Sequence, residues 1–318
     1  MTVHIACATY NGAKYLEEFL ASLAAQTHED WRLYVRDDAS SDATAAIVWT
    51  AASRDSRIEL THAANPETRL GAARSFLWLL DRLPDDAVHV MFADQDDVWK
   101  PDKIERTLAT MSAAEAELGT QVPLLVHTDL TVADAALREI HRSFWEYSRI
   151  HPEPATLRRI VSHNVTTGAT MMLNRALREL LRNAPADVAM HDWWSACVAA
   201  AFGRVVALHE PTILYRQHGA NSIGARDKRL SLTSLPGAIL ARRHTTGEFR
   251  RGLNKAARQA NALLQRYGSW LSAGDRQFLT DYARIPERQF LRRKIDLLRF
   301  RVLPDQGMLH ALGVLLRG

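Results

Sequence analysis

Four times in its first hundred residues the chain repeats one unit: a short apolar run, a polar loop where the run ends, and a stretch of helical spacing. His4-Ile5-Ala6-Cys7-Ala8 stops at Thr9-Tyr10-Asn11-Gly12, after which Tyr15, Leu16, Phe19, Leu20 and Leu23 share one helical face. Trp31-Arg32-Leu33-Tyr34-Val35 ends in Arg36-Asp37-Asp38-Ala39-Ser40-Ser41-Asp42, whose last residues can cap a helix from Ala43 to about Ala52. A third unit runs from Ile58-Glu59-Leu60 through Asn65-Pro66-Glu67-Thr68-Arg69-Leu70-Gly71 into a helix over 72–82. The fourth is Val88-His89-Val90-Met91-Phe92-Ala93, then Asp94-Gln95-Asp96-Asp97, with Pro101 placed for a first helical turn. This alternation predicts an α/β fold, a mostly parallel sheet with helices on both faces. Ligands of such sheets bind outside the carboxyl ends of the strands, so the polar loops are expected to converge.

Between 122 and 224 the pattern loosens, with strands expected at Leu124–His127, Ala169–Leu173 and Arg204–Leu208 and helices at about 174–183 and 192–202. Beyond Gly224 strand signals nearly vanish, and the stretches 248–266, 275–284 and 287–300 alternate arginines with apolar residues. The charge divides at the same place: 225–318 holds 19 basic and 7 acidic residues, while 1–224 holds 21 basic and 29 acidic. Two units are therefore expected, 1–224 and a basic helical C-terminal region, 225–318. An acidic body suits carboxylates gathered on a metal, and a basic tail suits an anionic surface. With 318 residues, 47% hydrophobic and 24% charged, the chain can bury a large core without metals or disulfides. Cys7 and Cys197 each sit in an apolar run and read as reduced core residues. The amino terminus shows no cationic leader, and no uncharged stretch approaches the roughly 20 residues of a membrane span. A cytoplasmic location is expected.

Asp94-Gln95-Asp96-Asp97 places three carboxylates within four residues, and their repulsion asks for a cation or several donors. At a strand end, oxygen ligands of this kind suit Mg²⁺ or Mn²⁺ shared with substrate phosphates. A solvated turn capping the next helix is the plain alternative. The wider context is more specific. Thr9-Tyr10-Asn11-Gly12, Asp37-Asp38-Ala39-Ser40-Ser41-Asp42 and Asp94-Gln95-Asp96-Asp97-Val98-Trp99-Lys100-Pro101 resemble, in order and spacing, the family 2 glycosyltransferases. The resemblance covers about residues 1–224 and is nearest to bacterial rhamnosyltransferase-like members that assemble cell-surface polysaccharides. It implies the GT-A fold, a Rossmann-like nucleotide-sugar domain, and inverting sugar transfer with a divalent metal.

The resemblance also implies roles for residues. Thr9 and Tyr10 would meet the donor nucleotide, Tyr10 stacking on the base, while Asp38 accepts a base N–H. A helix-capping turn is the other reading of Asp37 and Asp38. Where Ala39 stands, family members often carry Gly, so a backbone with φ > 0 would strain it. Asp94 would approach the ribose or the metal, and Asp96, with Asp97 as a substitute, would hold the metal against the diphosphate. Arg74 aligns with a basic position near the nucleotide, or is an exposed helix residue.

In Met190-His191-Asp192-Trp193-Trp194, Asp192 is the candidate base that takes the acceptor hydroxyl proton. Trp193 and Trp194 would wall the acceptor sugar and raise the pKa of Asp192; alternatively Asp192 caps the helix and both rings are core. Tyr215-Arg216-Gln217-His218-Gly219-Ala220-Asn221-Ser222 resembles a segment of the rhamnosyltransferase-like members. There Arg216 would neutralise a donor phosphate and His218 would complete the metal shell, unless the segment is a plain polar loop. Asn164-Val165-Thr166-Thr167-Gly168-Ala169-Thr170 matches too, with Gly168 allowing close approach on the acceptor side.

The expected activity is transfer of a sugar, L-rhamnose from dTDP-rhamnose being the donor the resemblance points to, onto a saccharide or lipid-linked saccharide acceptor. The enzyme would sit at the inner face of the plasma membrane, held by its basic tail and the apolar end Met308-Leu309-His310-Ala311-Leu312-Gly313-Val314-Leu315-Leu316, with no nucleic acid as partner. Solvated helix faces are the plain reading of the tail's arginines. Two other functions compete. A nucleotidyltransferase would carry a Gly-rich phosphate loop near the first strand, which Thr9-Tyr10-Asn11-Gly12 is not. A nucleic-acid-binding protein would present Tyr267, Trp270, Phe278, Tyr282, Phe290 and Phe300 for base stacking rather than packing them in helices.

Overall fold

The computed structural model describes residues 1–61, 68–218 and 238–300. The four expected units are present: β1 (Val3–Thr9), α1 (Ala13–Ala24), β2 (Trp31–Asp37), α2 (Thr44–Arg54), β3 (Ile58–Leu60), α3 (Ala72–Arg82) and β4 (His89–Ala93). A two-residue strand β5 (Val98–Trp99) then precedes α4 (Lys103–Leu118). Next come β6 (Leu124–Ala133), β7 (Glu139–His141), α5 (Phe144–Ser148), α6 (Leu157–Ser162), β8 (Met172–Asn174), α7 (Arg175–Leu181), α8 (His191–Phe202) and β9 (Arg204–Arg216). The C-terminal helices are α9 (Ala238–Tyr267), α10 (Ala273–Ala283) and α11 (Phe290–Arg299). The short elements β5, β7, α5 and α6 carry too few residues to show a period, so the sequence reading passed over them.

The strands form one sheet in the order β3-β2-β1-β4-β8-β6-β9-β5, with β7 paired to β6. Parallel pairing accounts for the long registers, while the antiparallel pairs involving β5, β7 and β8 run for only two or three residues each. Strand residues alternate between two apolar layers, as a period of two requires. Val3, Ile5, Cys7, Met91 and Ala93 join residues of α1 and α4 on one face. Ala6, Val90 and Phe92 join residues of α3, α6, α7 and α8 on the other. Both cysteines are buried and free.

The C-terminal helices, expected as an appended region, are part of that second layer. Leu253, Ala256, Ala260, Leu263 and Tyr267 of α9, with Phe278, Leu279 and Tyr282 of α10, belong to the same buried cluster as Phe76, Phe92 and Trp194. The expected boundary between 224 and 225 lies outside the described residues, as does the apolar stretch 308–316. No helix among the described residues is long and apolar enough to cross a membrane.

Candidate active site

The carboxyl ends of β1, β2 and β4 lie at one sheet edge, because β1 pairs in parallel with both neighbours, Thr9 opposite Asp37 and Cys7 opposite Ala93. The polar loops therefore leave the sheet side by side. Asp38 N–H donates to Thr9 O at 2.8 Å, and the Thr9 hydroxyl donates to Asp37 Oδ1 at 3.1 Å. Asp37 also accepts from the Ser40 hydroxyl and N–H at 2.6 and 2.9 Å, closing a turn in which Ala39 has φ 62°. That is the left-handed conformation that glycine takes freely and alanine only with strain. Gln95 spans the next gap: Tyr10 N–H donates to its Oε1 and its Nε2 donates to Tyr10 O, both at 2.9 Å. A Cβ at position 12 would stand 2.0 Å from Gln95 Oε1, so Gly12 leaves room for this bridge.

Asp38 is 3% exposed and faces Arg36, whose Nη1 donates to Oδ1, while Leu70 and Gly71 N–H donate at 2.7 and 2.8 Å. Burial alone would raise its pKa, but these three donors outweigh burial and hold the carboxyl below its usual range. Its oxygens already serve the loop ahead of α3, so any bond to a base is additional to this structural duty. Tyr10 is 37% exposed, with the Arg69 guanidinium 3.8 Å from its ring centre. Arg74 is exposed on the first turn of α3.

Asp94 is half-buried at the edge of β4, where desolvation, then the charges of Asp96 and Asp192, raise its pKa to about 7. Charges from two distant segments thus act on Asp94. Asp96 Oδ2 lies 2.8 Å from His218 Nε2, joining two of the three expected metal ligands. Asp97 does not join them. It is 1% exposed, accepts from Arg216 N–H at 3.1 Å and faces inward, so the sequence reading of Asp97 as a metal ligand is corrected. Arg216 is corrected likewise. Its guanidinium is buried, donating to Asp96 O at 2.9 Å, to Ala135 O at 2.7 Å and to Glu18 at 2.8 Å. These bonds hold the acidic loop in place and leave the guanidinium no face for a phosphate.

Asp192 lies in the first turn of α8, 7% exposed, where burial raises its pKa to about 6 despite donors from Trp193 N–H, the Asn164 side chain and Gly168 N–H. Trp194, expected on the acceptor side, is wholly buried and stacks on Tyr267 of α9 with ring centres 5.9 Å apart, so it is core. Trp193 is half-buried and its Nε1 donates to Ile160 O at 2.6 Å. Gly168 lies against the start of α8: a Cβ there would stand 2.7 Å from His191 Nε2 and 3.6 Å from Asp192 Cβ. The His191 ring cannot easily yield, being stacked on Phe76 at 4.0 Å and edge-on to Phe92 at 4.9 Å. Gly168→Ala is therefore expected to shift the start of α8 and lower kcat by about 10²-fold, with donor affinity little changed. Steady-state kinetics beside a donor titration check this.

Sequence reasoning missed Arg36, Glu18 and Gln259. Gln259 of α9 accepts Ala189 N–H at 3.2 Å, tying the C-terminal region to the approach to Asp192. A charged residue in an apolar strand marks Arg36 as needing a buried partner, but nothing in the sequence pairs Glu18 or Gln259 with sites so far along the chain.

The sheet places these acids beyond the carboxyl ends of its strands, where ligands of such sheets bind, and its architecture is that of the GT-A fold. Residues 5–181, more than half of the chain, match the model of glycosyl transferase family 2, and the protein belongs to that family. It is a glycosyltransferase. It is similar to the dTDP-rhamnosyl transferase RfbG of Shigella flexneri, 26% identical over 223 residues, covering 69% of this chain and 73% of that one. S. aureus TarS in complex with UDP shares the fold with TM-score 0.54 and 18% identity, covering 94% of this chain and 91% of that one. The mannosyltransferase PcManGT from Pyrobaculum calidifontis, in complex with GDP-Man and Mn²⁺, does so with TM-score 0.51 and 19% identity, covering 99% and 86%.

Proposed function

We propose that this glycosyltransferase moves a sugar with inversion from a nucleotide-sugar donor to a hydroxyl of a saccharide or lipid-linked saccharide acceptor in cell-surface polysaccharide assembly. The pairing of Asp96 Oδ2 with His218 Nε2 at 2.8 Å beyond the strand ends carries this reading, and the charges of Asp96 and Asp192 both act on Asp94. Asp192 would accept the acceptor hydroxyl proton while the oxygen bonds to the anomeric carbon and the nucleoside diphosphate leaves from the opposite face. A pKa near 6 leaves it mostly ionised at pH 7 yet basic enough to take the proton.

Asp96 and His218 fit Mg²⁺ or Mn²⁺ by donor chemistry, an oxygen and an imidazole nitrogen 2.8 Å apart, with Asp94 close by. Among the described residues no three His, Cys, Asp or Glu side chains are gathered to hold an ion alone. One or two carboxylates completed by substrate phosphates is the usual holding of Mg²⁺. When bound, the ion would supply charge neutralisation for the departing diphosphate. The similarity to the dTDP-rhamnosyl transferase supports dTDP-rhamnose as donor.

A cytoplasmic, membrane-peripheral location follows from the lipid-linked acceptor and the basic C-terminal region. The nucleic-acid reading loses three of its six aromatics, because Tyr267, Phe278 and Tyr282 are buried, while Trp270 is exposed. A thermal-shift panel of dTDP-rhamnose, UDP-glucose and GDP-mannose with and without Mn²⁺ tests the donor. At a hundred times its dissociation constant, dTDP-rhamnose with Mn²⁺ is expected to add about 2.7 kcal/mol, a rise of a few degrees. No shift with any of the three, metal present or absent, would refute a donor site here.

A further inference from the structure

Eight large apolar side chains are exposed among the described residues, and three stand on the ten-residue helix α11: Leu291 at 74%, Ile295 at 63% and Leu298 at 53%. Their spacing of four and three puts them on one stripe. The opposite side is anchored, since Leu297 is fully buried, and Arg288 lies 3.8 Å from Asp281 of α10 and 3.7 Å from Asp296. The exposed stripe thus belongs to a packed helix. Arg292 and Arg299 are exposed on the same helix.

Beside it, α9 and α10 enclose a cavity of about 810 Å³ lined by Arg251, Lys255, Arg258 and Arg284, with Glu287 the one acid. None of these four cations has an ion-pair partner among the described residues. The rim continues through Pro286 and Glu287, three residues before α11 begins. Four cations against the single acid Glu287, next to a solvent-exposed apolar stripe, complement a surface of phosphate headgroups over acyl chains, and no described helix can span. A second copy of this chain would bring the same cations against one another.

We propose that α11 and the α9–α10 groove form a docking surface for an anionic phospholipid bilayer, the stripe entering the interfacial layer and the groove cations meeting headgroup phosphates. This rests on the membrane-peripheral reading above. The test is co-sedimentation of the full chain with vesicles of phosphatidylglycerol and phosphatidylcholine, or of phosphatidylcholine alone. The wild type is expected to bind the anionic vesicles at least about tenfold more tightly, less so in high salt. Leu291→Glu with Ile295→Glu, and separately Arg251→Glu with Arg258→Glu, should each weaken that binding at least about tenfold with the thermal midpoint unchanged, because all four side chains are exposed.

Failure of the wild type to prefer anionic vesicles would overturn the membrane reading and this surface together. A wild type that binds alongside an undiminished stripe variant would overturn the surface alone. So would a stripe variant that dissociates a dimer in light scattering while binding vesicles normally, which would make a second copy the occupant. Pyrophosphate stabilising the wild type but not the groove variant, with vesicle binding equal, would assign the groove to a soluble phosphate and overturn its headgroup role.

Discussion

Replacing Asp192 by Asn is expected to lower kcat by about 10²–10⁴-fold while leaving donor affinity within about twofold. The exchange is nearly isosteric, and the amide oxygen can still accept Trp193 N–H, which lies 2.6 Å from Oδ1. Only the capacity to take a proton is removed. In the wild type, burial raises the pKa of this carboxyl to about 6, and the ionised form is the one that acts as base. The wild-type kcat/KM should therefore fall about tenfold per pH unit below about pH 6, a limb the variant lacks.

Stability should move the other way. The folded pKa lies above the ordinary value of 3.8, so the folded state binds more protons between about pH 4 and 6. Ionising Asp192 then costs stability as pH rises through that window, up to about 3 kcal/mol by pH 7. Asp192→Asn escapes this cost and should melt no lower than the wild type at pH 7. An inactive but equally stable variant separates a catalytic role from misfolding, whereas full turnover would send the search for a base elsewhere.

Asp96→Ala is expected to weaken Mn²⁺-dependent binding of dTDP by at least about 100-fold, with metal-free binding little changed. Asp96 contributes the carboxylate 2.8 Å from His218 Nε2, while its backbone oxygen is held by Arg216. The substitution removes the side chain and keeps the backbone anchor, so the loop should hold its place. His218→Ala should cost less, about tenfold, since an imidazole supplements rather than replaces an anionic ligand. Calorimetric titration with and without Mn²⁺ reads both. Equal affinities for Asp96→Ala and wild type in the presence of Mn²⁺ would end the metal assignment.

The four β–α units, the polar loops at their strand ends and the helix that opens at Asp192 were legible because each is written in local spacing: a period of two in the strands, and of 3.6 in the helices. Even the left-handed backbone at Ala39 was foreshadowed by the resemblance, which implies Gly at this position. Burial of individual polar and aromatic side chains was not legible. Asp97, Arg216 and Trp194 sit in functional-looking motifs, yet one faces inward against β9, the next is held by Glu18, and the last lies under Tyr267.

Those partners are separated by 119, 198 and 73 positions, and pairing at such separations depends on how layers stack. The amphipathic pattern of the C-terminal helices told which face would seek cover. It could not tell that α9 and α10 would cover Trp194 and the approach to Asp192, while α11 keeps its apolar stripe outside. A local pattern records the periodicity of its own backbone, whereas the identity of what lies across a packed interface is set by the shape and charge of segments the chain brings together only on folding.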